Sequence, residues 1–440
     1  MKIQFALLLI LSIGLITCND KEQEETLDPI TGSLVEILNE ELEPLSLEPL
    51  QWTNDELKFL DGVSGRSVVA FGEATHGTSE FFKAKDKMFR YLAENHGFKI
   101  FAIEADFGES LLINEAVLNS DKAQIENLMK TKMHFWTWRT TDVRNLLHWM
   151  CDYNVGKPES EKVQYWGFDC QFNTYHPDMV REYLTSANVS FISFADSLLE
   201  EAKSATAAEF SDYTNSTFGA YLEKMDALKD SITSYEEQII DAINEREYKL
   251  ILQLVDVIRQ VSEVRFYVAK QTATKNYRDE YMAKNTAWLH EYFNGAKIVV
   301  WAHNFHVSDY RDAGSMGHYL KTDFADDYVI FGFLFAKGSF TAITQSGGQF
   351  YGLDTHTIDE EPMESTLPYL MSLAKTPSFT VKISDLQDYS EWRQKFVNGI
   401  RFFQMGAVYN NNPADYYEPF NATYFDHLIF FNTTKAAAQL

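Results

Sequence analysis

A strand–helix–strand pattern near residue 70 constrains the fold of this chain more than any other feature. The apolar run Ser67 to Phe71 predicts a buried strand, and a helical pattern follows from about Ser79 to Asn95. Gly97 is placed to end that helix, and the run Lys99 to Ile103 predicts the next strand. Such a βαβ unit has parallel strands and a right-handed crossover. We therefore expect an α/β fold in which helices flank a mostly parallel central sheet.

Further apolar runs extend the predicted sheet. Strands are expected at Val163 to Trp166, Lys297 to Trp301 and Asp426 to Asn432, and a strand pair at Tyr328 to Phe335 and Phe340 to Thr344. Glu237 to Lys270 predicts one long amphipathic helix, which with Tyr221 to Ser231 suggests a helical hairpin inserted at about 195–290. Because this hairpin lies between strands that carry motifs, it is a candidate lid. We expect a single α/β domain over residues 51–440.

The first residues have the pattern of an export signal. Lys2 gives a positive start, and the apolar run Phe5 to Ile16 is too short to span a bilayer comfortably. The run leads to Cys18, which resembles the lipidated cysteine of a bacterial lipoprotein, with an ordinary cleaved signal peptide as the alternative. Residues 19–50 are expected to form a polar tether and entry segment. This predicts location in the cell envelope, on the periplasmic side or the outer membrane, and membrane contact only through the anchor.

Charge and cysteine content exclude some partners and scaffolds. The chain has 38 Lys and Arg against 64 Asp and Glu, a formal net charge of −26. No basic stripe is present to neutralise phosphates, so nucleic acid is excluded as a partner. Besides Cys18 the sequence has only Cys151 and Cys170, too few for a disulfide framework and without a C-x-x-C for zinc. We expect both to be buried free thiols, with a single bridge as the alternative.

Ionisable side chains follow four of the predicted strands, at the edge where open α/β sheets bind ligands. Any one of them could be a cap or a buried hydrogen-bonding group. Their arrival at one edge instead indicates a catalytic site. The residues are Glu73 and His76, Glu104 and Asp106, Asp169, and His303 and His306.

This set of side chains suits hydrolysis. An imidazole takes a proton near neutral pH, a carboxylate orients its ring, and further histidines can donate to an oxyanion. The sequence lacks G-x-S-x-G, and Thr75, Thr78 and Ser79 are candidate nucleophiles only by proximity, with Thr78 or Ser79 better explained as a helix N-cap. Water activated by His76 is the leading interpretation. A metallohydrolase that uses the same Glu and His residues, and a non-catalytic envelope protein that binds a hydrophobic ligand, are the alternatives.

Several motifs, in this order, resemble those of the erythromycin esterases, from near Trp52 to the C-terminus. They are FGEATHGTSEFF, FAIEADF, FWTWRTTDVRNLLHWM, YWGFDCQ, RDEYMAKNTAWL and WAHNFHV. The resemblance implies a metal-independent hydrolase without a cofactor that opens a macrolactone ester. It assigns the general base to His76 and the rest of the polar centre to Glu73, Glu104, His303 and His306. Lys85 is expected to contact the substrate and stands where macrolide-cleaving members tend to have Arg. It keeps the charge but lacks the bidentate fork, which leaves the identity of the substrate open.

The remaining motif residues have two interpretations each. Trp136 and Trp138 could line a substrate pocket or pack in the core. Asp169 could position a histidine or a substrate hydroxyl, or cap the next segment. For Arg278, Asp279 and Asn285 a structural ion pair is expected. The expected partner is a small-molecule ester or macrolactone, and antibiotic resistance is a consequence to be tested.

Overall fold

The computed structural model describes residues 27–205 and 210–440. Cys18 and the predicted signal peptide lie outside these residues. The strands are β1 Glu43–Pro44, β2 Val68–Phe71, β3 Ile100–Asp106, β4 Gln164–Asp169, β5 Ile298–Trp301, β6 Tyr328–Ser346, β7 Gln349–Ile358, β8 Ser378–Lys382, β9 Ile400–Phe403, β10 Val408–Tyr409, β11 Tyr417–Phe420 and β12 His427–Thr434.

Helices precede, separate and follow these strands. Their bounds are α1 Pro29–Glu41, α2 Ser79–His96, α3 Phe107–Leu118, α4 Lys122–Thr131, α5 Thr141–Asn154, α6 His176–Ser186, α7 Ile192–Ser204, α8 Asn215–Ser234, α9 Glu236–Ala242, α10 Glu245–Lys270, α11 Tyr277–Tyr292, α12 Asn304–Val307, α13 Met316–Phe324, α14 Leu367–Ser372, α15 Ile383–Gln387 and α16 Ser390–Val397.

The central sheet has the strand order β1-β8-β12-β6-β2-β5-β3-β4. In the order from β12 to β4, each strand pairs in parallel with the next. Strand β8 is antiparallel to β12, and β1 is antiparallel to β8. The C-terminal half of β6 pairs with β7 and β10. Strands β9 and β11 form a separate two-stranded ribbon. Helices cover both faces, which confirms the predicted α/β class with a mostly parallel sheet.

Side chains alternate between two hydrophobic layers, one on each face of the sheet. Val68 and Ala70 of β2 belong to one layer, and Val69 and Phe71 belong to the other. The second layer also contains Phe81, Phe82, Met88 and Phe89 of α2. The strands are buried on both faces, so they are continuous apolar runs rather than alternating ones.

Two predicted elements have different boundaries. The predicted strand pair is one strand, β6, because Lys337 and Gly338 pair with Thr433 and Thr434 and the chain then pairs with β7. The predicted long helix is broken into α9 and α10. Asn244 interrupts it with an extended backbone, and its side chain accepts a hydrogen bond from the Glu247 amide at 2.9 Å.

Two predicted boundaries were also too narrow. Residues expected in the tether form α1 and β1, which pack on the domain: Leu34 and Leu38 are buried, and the Trp392 indole donates to the Leu34 carbonyl at 3.1 Å. The insertion between β4 and β5 is larger than a hairpin and contains α6 to α11.

Two further observations concern the cysteines and the length of the helices. Cys151 and Cys170 are buried free thiols, as expected. Of the helices in the described residues, none has the length and apolar character needed to cross a bilayer.

The turn between β2 and α2 is held by tight packing at Gly77. Its carbonyl accepts hydrogen bonds from Thr341 of β6 and from Ala437. A Cβ on Gly77 would lie 2.1 Å from the Thr341 carbonyl oxygen, where no side-chain atom fits. At the other end of the helix, Gly97 has φ 72° and ends α2 as predicted.

We therefore expect Gly77→Ala to destabilise the fold. The added methyl has to push a backbone strand away, and overpacking of this kind costs about 1–3 kcal/mol. Urea unfolding measures the change. Gly65→Ala is the matched control, because nothing lies within 4 Å of a Cβ at Gly65. Equal stability of the two variants would contradict the packing described for this turn.

Candidate active site

The parallel strands deliver the predicted residues to one edge of the sheet. Glu73 and His76 follow β2, and His303 and His306 follow β5, which is the neighbour of β2. Glu104 lies within the end of β3 instead of after it. The register between β3 and β4 shifts between Ile103 and Asp106, so one extra residue is accommodated on β3 beside Glu104.

Glu73 lies at the centre of this edge, with no solvent exposure. Its Oε1 accepts from His76 Nδ1 at 2.7 Å. Its Oε2 accepts from Lys85 Nζ at 2.5 Å and from the Trp301 indole at 2.6 Å. The three donors come from the β2–α2 loop, from α2 and from β5, so one carboxylate ties three elements together.

Burial and pairing act in opposite directions on Glu73 and Lys85. Burial tends to raise the pKa of Glu73, but the Lys85 ammonium and His76 outweigh it, and the net pKa is lowered. Burial lowers the pKa of Lys85 to about 8, although Glu73 opposes this shift. Lys85 Nζ also lies 4.3 Å from the centroid of the Trp301 ring. The pair therefore keeps Glu73 ionised at neutral pH.

The position of Lys85 differs from the predicted substrate contact. The whole side chain is 0% exposed and ends on Glu73, beneath the edge rather than in the open crevice. Lys85 thus contacts the carboxylate that orients His76.

The hydrogen bond to Glu73 determines the tautomer of neutral His76. An ionised carboxylate only accepts, so Nδ1 carries the hydrogen and Nε2 has a free lone pair. The His76 side chain keeps 14% of its exposure, in contrast to its fully buried partner. A ring so held can remove a proton through Nε2.

His303 has the opposite tautomer. Its Nδ1 accepts from the Phe305 amide at 3.2 Å, at the start of α12. Burial, reinforced by His76 and His306, lowers the pKa of His303 to about 3, so the ring is neutral and its hydrogen is on Nε2. Among the described residues this Nε2 has no hydrogen-bond partner. The His76 and His303 ring centroids are 5.1 Å apart, so an acceptor and a donor lie side by side.

Arg278 connects the remaining acidic groups. It donates to Glu104 Oε1 at 2.7 Å and to both oxygens of Asp169, at 2.9 and 2.8 Å. Burial tends to raise the pKa of Glu104, but His306 and Arg278 outweigh it and lower it well below the usual range. Glu104 Oε2 also accepts from the His303 amide at 3.0 Å. The arginine expected to form a structural ion pair is therefore part of the cluster.

His306 is the histidine of the cluster whose pKa is raised. Its Nδ1 lies 2.7 Å from Asp279 Oδ1. Its Nε2 lies 3.1 Å from Arg278 Nη1 and 3.3 Å from Glu104 Oε1, so the neutral ring accepts from the arginine and the imidazolium donates to the carboxylate. Burial tends to lower the pKa of His306, but Asp279 and Glu104 outweigh it and raise it.

The other candidates lie around this centre with different roles. Trp138 is buried, donates to the Glu104 carbonyl at 2.9 Å and packs edge-on to His76, whereas Trp136 is half-buried. Asp169 is fully buried, and its oxygens are bound by Arg278 and by the following residues, so it positions Arg278. Asp106 faces a separate cluster with Glu109 and His134.

The side chains of Thr75 and Thr78 contact each other. The Thr75 and Thr78 hydroxyls are buried and 2.5 Å apart. Thr78 occupies the N-cap position of α2 without a capping hydrogen bond from its side chain, and Ser79 donates to Asp142 at 2.8 Å. These contacts leave no threonine poised as a nucleophile beside His76.

The carboxylate oxygens that could bind a metal ion at the predicted site already accept hydrogen bonds. Glu73 accepts three N–H donors, and Glu104 is bound by Arg278 and a backbone amide. A metal ion at either carboxylate would have to displace the cation already bound there, Lys85 or Arg278. Across residues 27–205 and 210–440, the group of His, Asp, Glu or Cys ligand atoms within 4.8 Å of one another is instead Asp106, Glu109 and His134.

Two contributors to the site were missed from the sequence. Trp301 was assigned only to an apolar strand, and its indole donor has no sequence signal. The Met405 amide bonds to the Ala74 carbonyl at 2.7 Å, which brings Gly406 beside His76, and this long-range contact leaves no local pattern in the sequence. Asp279 was expected only in a structural ion pair, and it contacts His306 in the site.

The comparison with known proteins places the chain in a family. The family model described as erythromycin esterase matches residues 93–434. The chain belongs to the erythromycin esterase family. The matched region includes Glu104, His303 and His306, and Glu73 and His76 precede it.

Relatives and solved structures are similar at low identity. Erythromycin esterase type II of Escherichia coli is 24% identical, over 79% of this chain and 87% of its own. YbfO of Bacillus subtilis (strain 168), a provisionally named hydrolase, is 24% identical over 58% of this chain and only 59% of its own. A succinoglycan biosynthesis protein shares the fold with a TM-score of 0.78 and 20% identity, over 94% of this chain and all of its own. A mutant of erythromycin esterase EreC in its open conformation has a TM-score of 0.68 and 17% identity, over 91% and 98%.

Removing one partner of the Glu73–Lys85 pair should destabilise the protein strongly. Both side chains are 0% exposed, and an uncompensated buried charge costs about 3–5 kcal/mol. We expect this loss in urea unfolding of Glu73→Gln and of Lys85→Met. The double variant should recover at least about 1 kcal/mol relative to the sum of the two losses.

The exposed pair Lys58–Asp55 is the control for this cycle. Its side chains are 65% and 85% exposed, and Lys58→Met and Asp55→Asn should each leave stability nearly unchanged, because water screens an exposed ion pair. Strict additivity of the two Glu73 and Lys85 effects would contradict a coupled buried pair.

Proposed function

We propose that this chain is a hydrolase that cleaves a carboxylic ester, including the ester of a lactone ring, with a water molecule that His76 activates. The observation that carries the proposal is the adjacent pair of histidines, His76 and His303, whose hydrogen bonds leave Nε2 as an acceptor on the first and as a donor on the second. One presents a lone pair and the other an N–H, which is what attack of water on a carbonyl requires. The esterase and hydrolase names of the relatives support the same reaction class.

The reaction begins with proton transfer from water to His76 Nε2. The oxygen of the water forms a bond to the carbonyl carbon, and the carbonyl π electrons move to its oxygen as a tetrahedral oxyanion. Glu73 stabilises the imidazolium that forms, through the hydrogen bond at Nδ1. Because Glu73 is held by Lys85 and Trp301, it does not have to move during this step.

His303 is assigned to the oxyanion. Its Nε2–H is unpartnered among the described residues, and the ring is neutral, so it donates without giving up its proton. A preorganised donor of this kind is worth about 10²–10³ in kcat. When the intermediate collapses, the bond to the leaving oxygen breaks and the imidazolium returns its proton to that oxygen. The products are a carboxylic acid and an alcohol.

His306 and Arg278 lie among three carboxylates, those of Glu104, Asp169 and Asp279. They offset acidic charge beside the two catalytic histidines. We assign His306 and Arg278, with Glu104, to positioning and electrostatic roles. The half-buried Trp136 and the edge of Trp138 are proposed walls for an apolar substrate.

The substrate proposal is a bulky lactone, of which erythromycin is the first to test. It rests on the names of the type II relative and of EreC. The location proposal is the bacterial cell envelope, through lipidation at Cys18.

We expect His76→Asn to lower kcat/KM about 10²–10⁴-fold, because the general base is removed while size and polarity are kept. His303→Asn should lower kcat about 10²–10³-fold. Mass spectrometry measures the gain of one water by macrolides and by simpler esters. His318→Asn is the matched control, since His318 also pairs with a carboxylate, Asp309, at 2.9 Å but lies on α13. A folded His76→Asn variant with full activity would overturn the assignment of the base.

A further inference from the structure

A second cluster of buried ionisable groups lies beside the candidate active site. It comprises Asp106 at the end of β3, Glu109 in the first turn of α3 and His134 in the segment before Trp136. Glu109 Oε2 accepts from the His134 amide at 2.8 Å and lies 2.5 Å from the His134 Nδ1. Asp106 Oδ1 caps α3 through the amides of Gly108 and Glu109, at 3.1 and 3.3 Å.

Each of these carboxylates has one oxygen left over. Asp106 Oδ2 and Glu109 Oε1 are buried and have no hydrogen-bond partner in the described part of the chain. Buried polar groups normally have partners, so two free carboxylate oxygens in one place call for a ligand. The side chains of Lys85 and Arg278, which pair with buried carboxylates nearby, are already bound to Glu73 and Asp169.

His176 provides an independent observation at the same place. It begins α6, is fully buried, and its Nε2 lies 3.8 Å from Asp106 Oδ1. Neither ring nitrogen meets hydrogen-bond geometry with a described residue.

We infer that Asp106, Glu109, His134 and His176 form a binding site for one divalent metal ion of the zinc type. The ligand atoms of the first three lie within 4.8 Å of one another, and His176 Nε2 lies 3.8 Å from Asp106 Oδ1. A mixed set of two carboxylates and two imidazoles suits zinc, whereas calcium and magnesium prefer oxygen ligands. The ion would join β3, α6 and the segment that carries Trp138 beside His76. The inference does not depend on the proposed hydrolysis.

The test is zinc binding to the full chain after treatment with a chelator. With Zn²⁺ as the only added ligand, calorimetry and elemental analysis should give one ion per chain, and Zn²⁺ should raise the unfolding temperature. Glu109→Gln and His176→Gln should weaken binding about 100-fold or more, because each removes a ligand. Asp309→Asn is the control: it removes one carboxylate of a surface His–Asp pair and should leave zinc binding unchanged.

Three results would overturn the site. The first is a stripped chain that takes up no zinc. The second is zinc binding that both ligand variants retain while circular dichroism shows them folded. The third is zinc binding that is lost in His76→Asn but kept in His176→Gln, which would place the ion at the catalytic histidines. If Glu109→Gln does not fold, Asp106→Asn and His176→Gln decide between the same outcomes.

Discussion

The buried carboxylate of Glu73 is the interaction on which the candidate site depends. A buried ion costs several kcal/mol unless it is paired and hydrogen-bonded. Glu73 meets this requirement with three donors from three elements: His76, Lys85 and Trp301. The β2–α2 loop, α2 and β5 must therefore keep one relative arrangement, and the proton of His76 is held on Nδ1. A requirement of stability thus leaves Nε2 free as a base.

The hydrogen-bond partners of the buried histidines determine whether burial lowers the pKa of the ring. His303 is bound only through a backbone amide, so desolvation decides and the ring is neutral. His306 faces Asp279 and Glu104, which outweigh a comparable burial and favour the charged ring. His76 has one carboxylate partner, Glu73, and keeps some exposure. One edge of the sheet therefore holds a neutral donor, a histidine whose charged form is favoured by carboxylates, and a candidate base.

Local patterns were enough to predict the sheet, the first βαβ unit and the edge on which the site residues meet. They failed where tertiary partners decide the outcome. The break at Asn244 depends on one side-chain cap, and the bulge that accommodates Glu104 depends on the register with β4. Lys85 carried an overlooked signal, because it follows Phe82 by three residues and precedes Phe89 by four, on the buried face of α2. The contacts of Trp301 and Gly406 join distant parts of the chain and leave no local pattern.

The most direct measurement of the central claim is the tautomer of His76 and His303 at neutral pH. ¹⁵N nuclear magnetic resonance of histidine-labelled protein distinguishes protonated from unprotonated ring nitrogens, and the spectra of His76→Asn and His303→Asn assign the two rings. We expect hydrogen on Nδ1 and a bare Nε2 at His76, with the reverse at His303. Hydrogen on Nε2 of neutral His76, or a charged His303, would contradict the account.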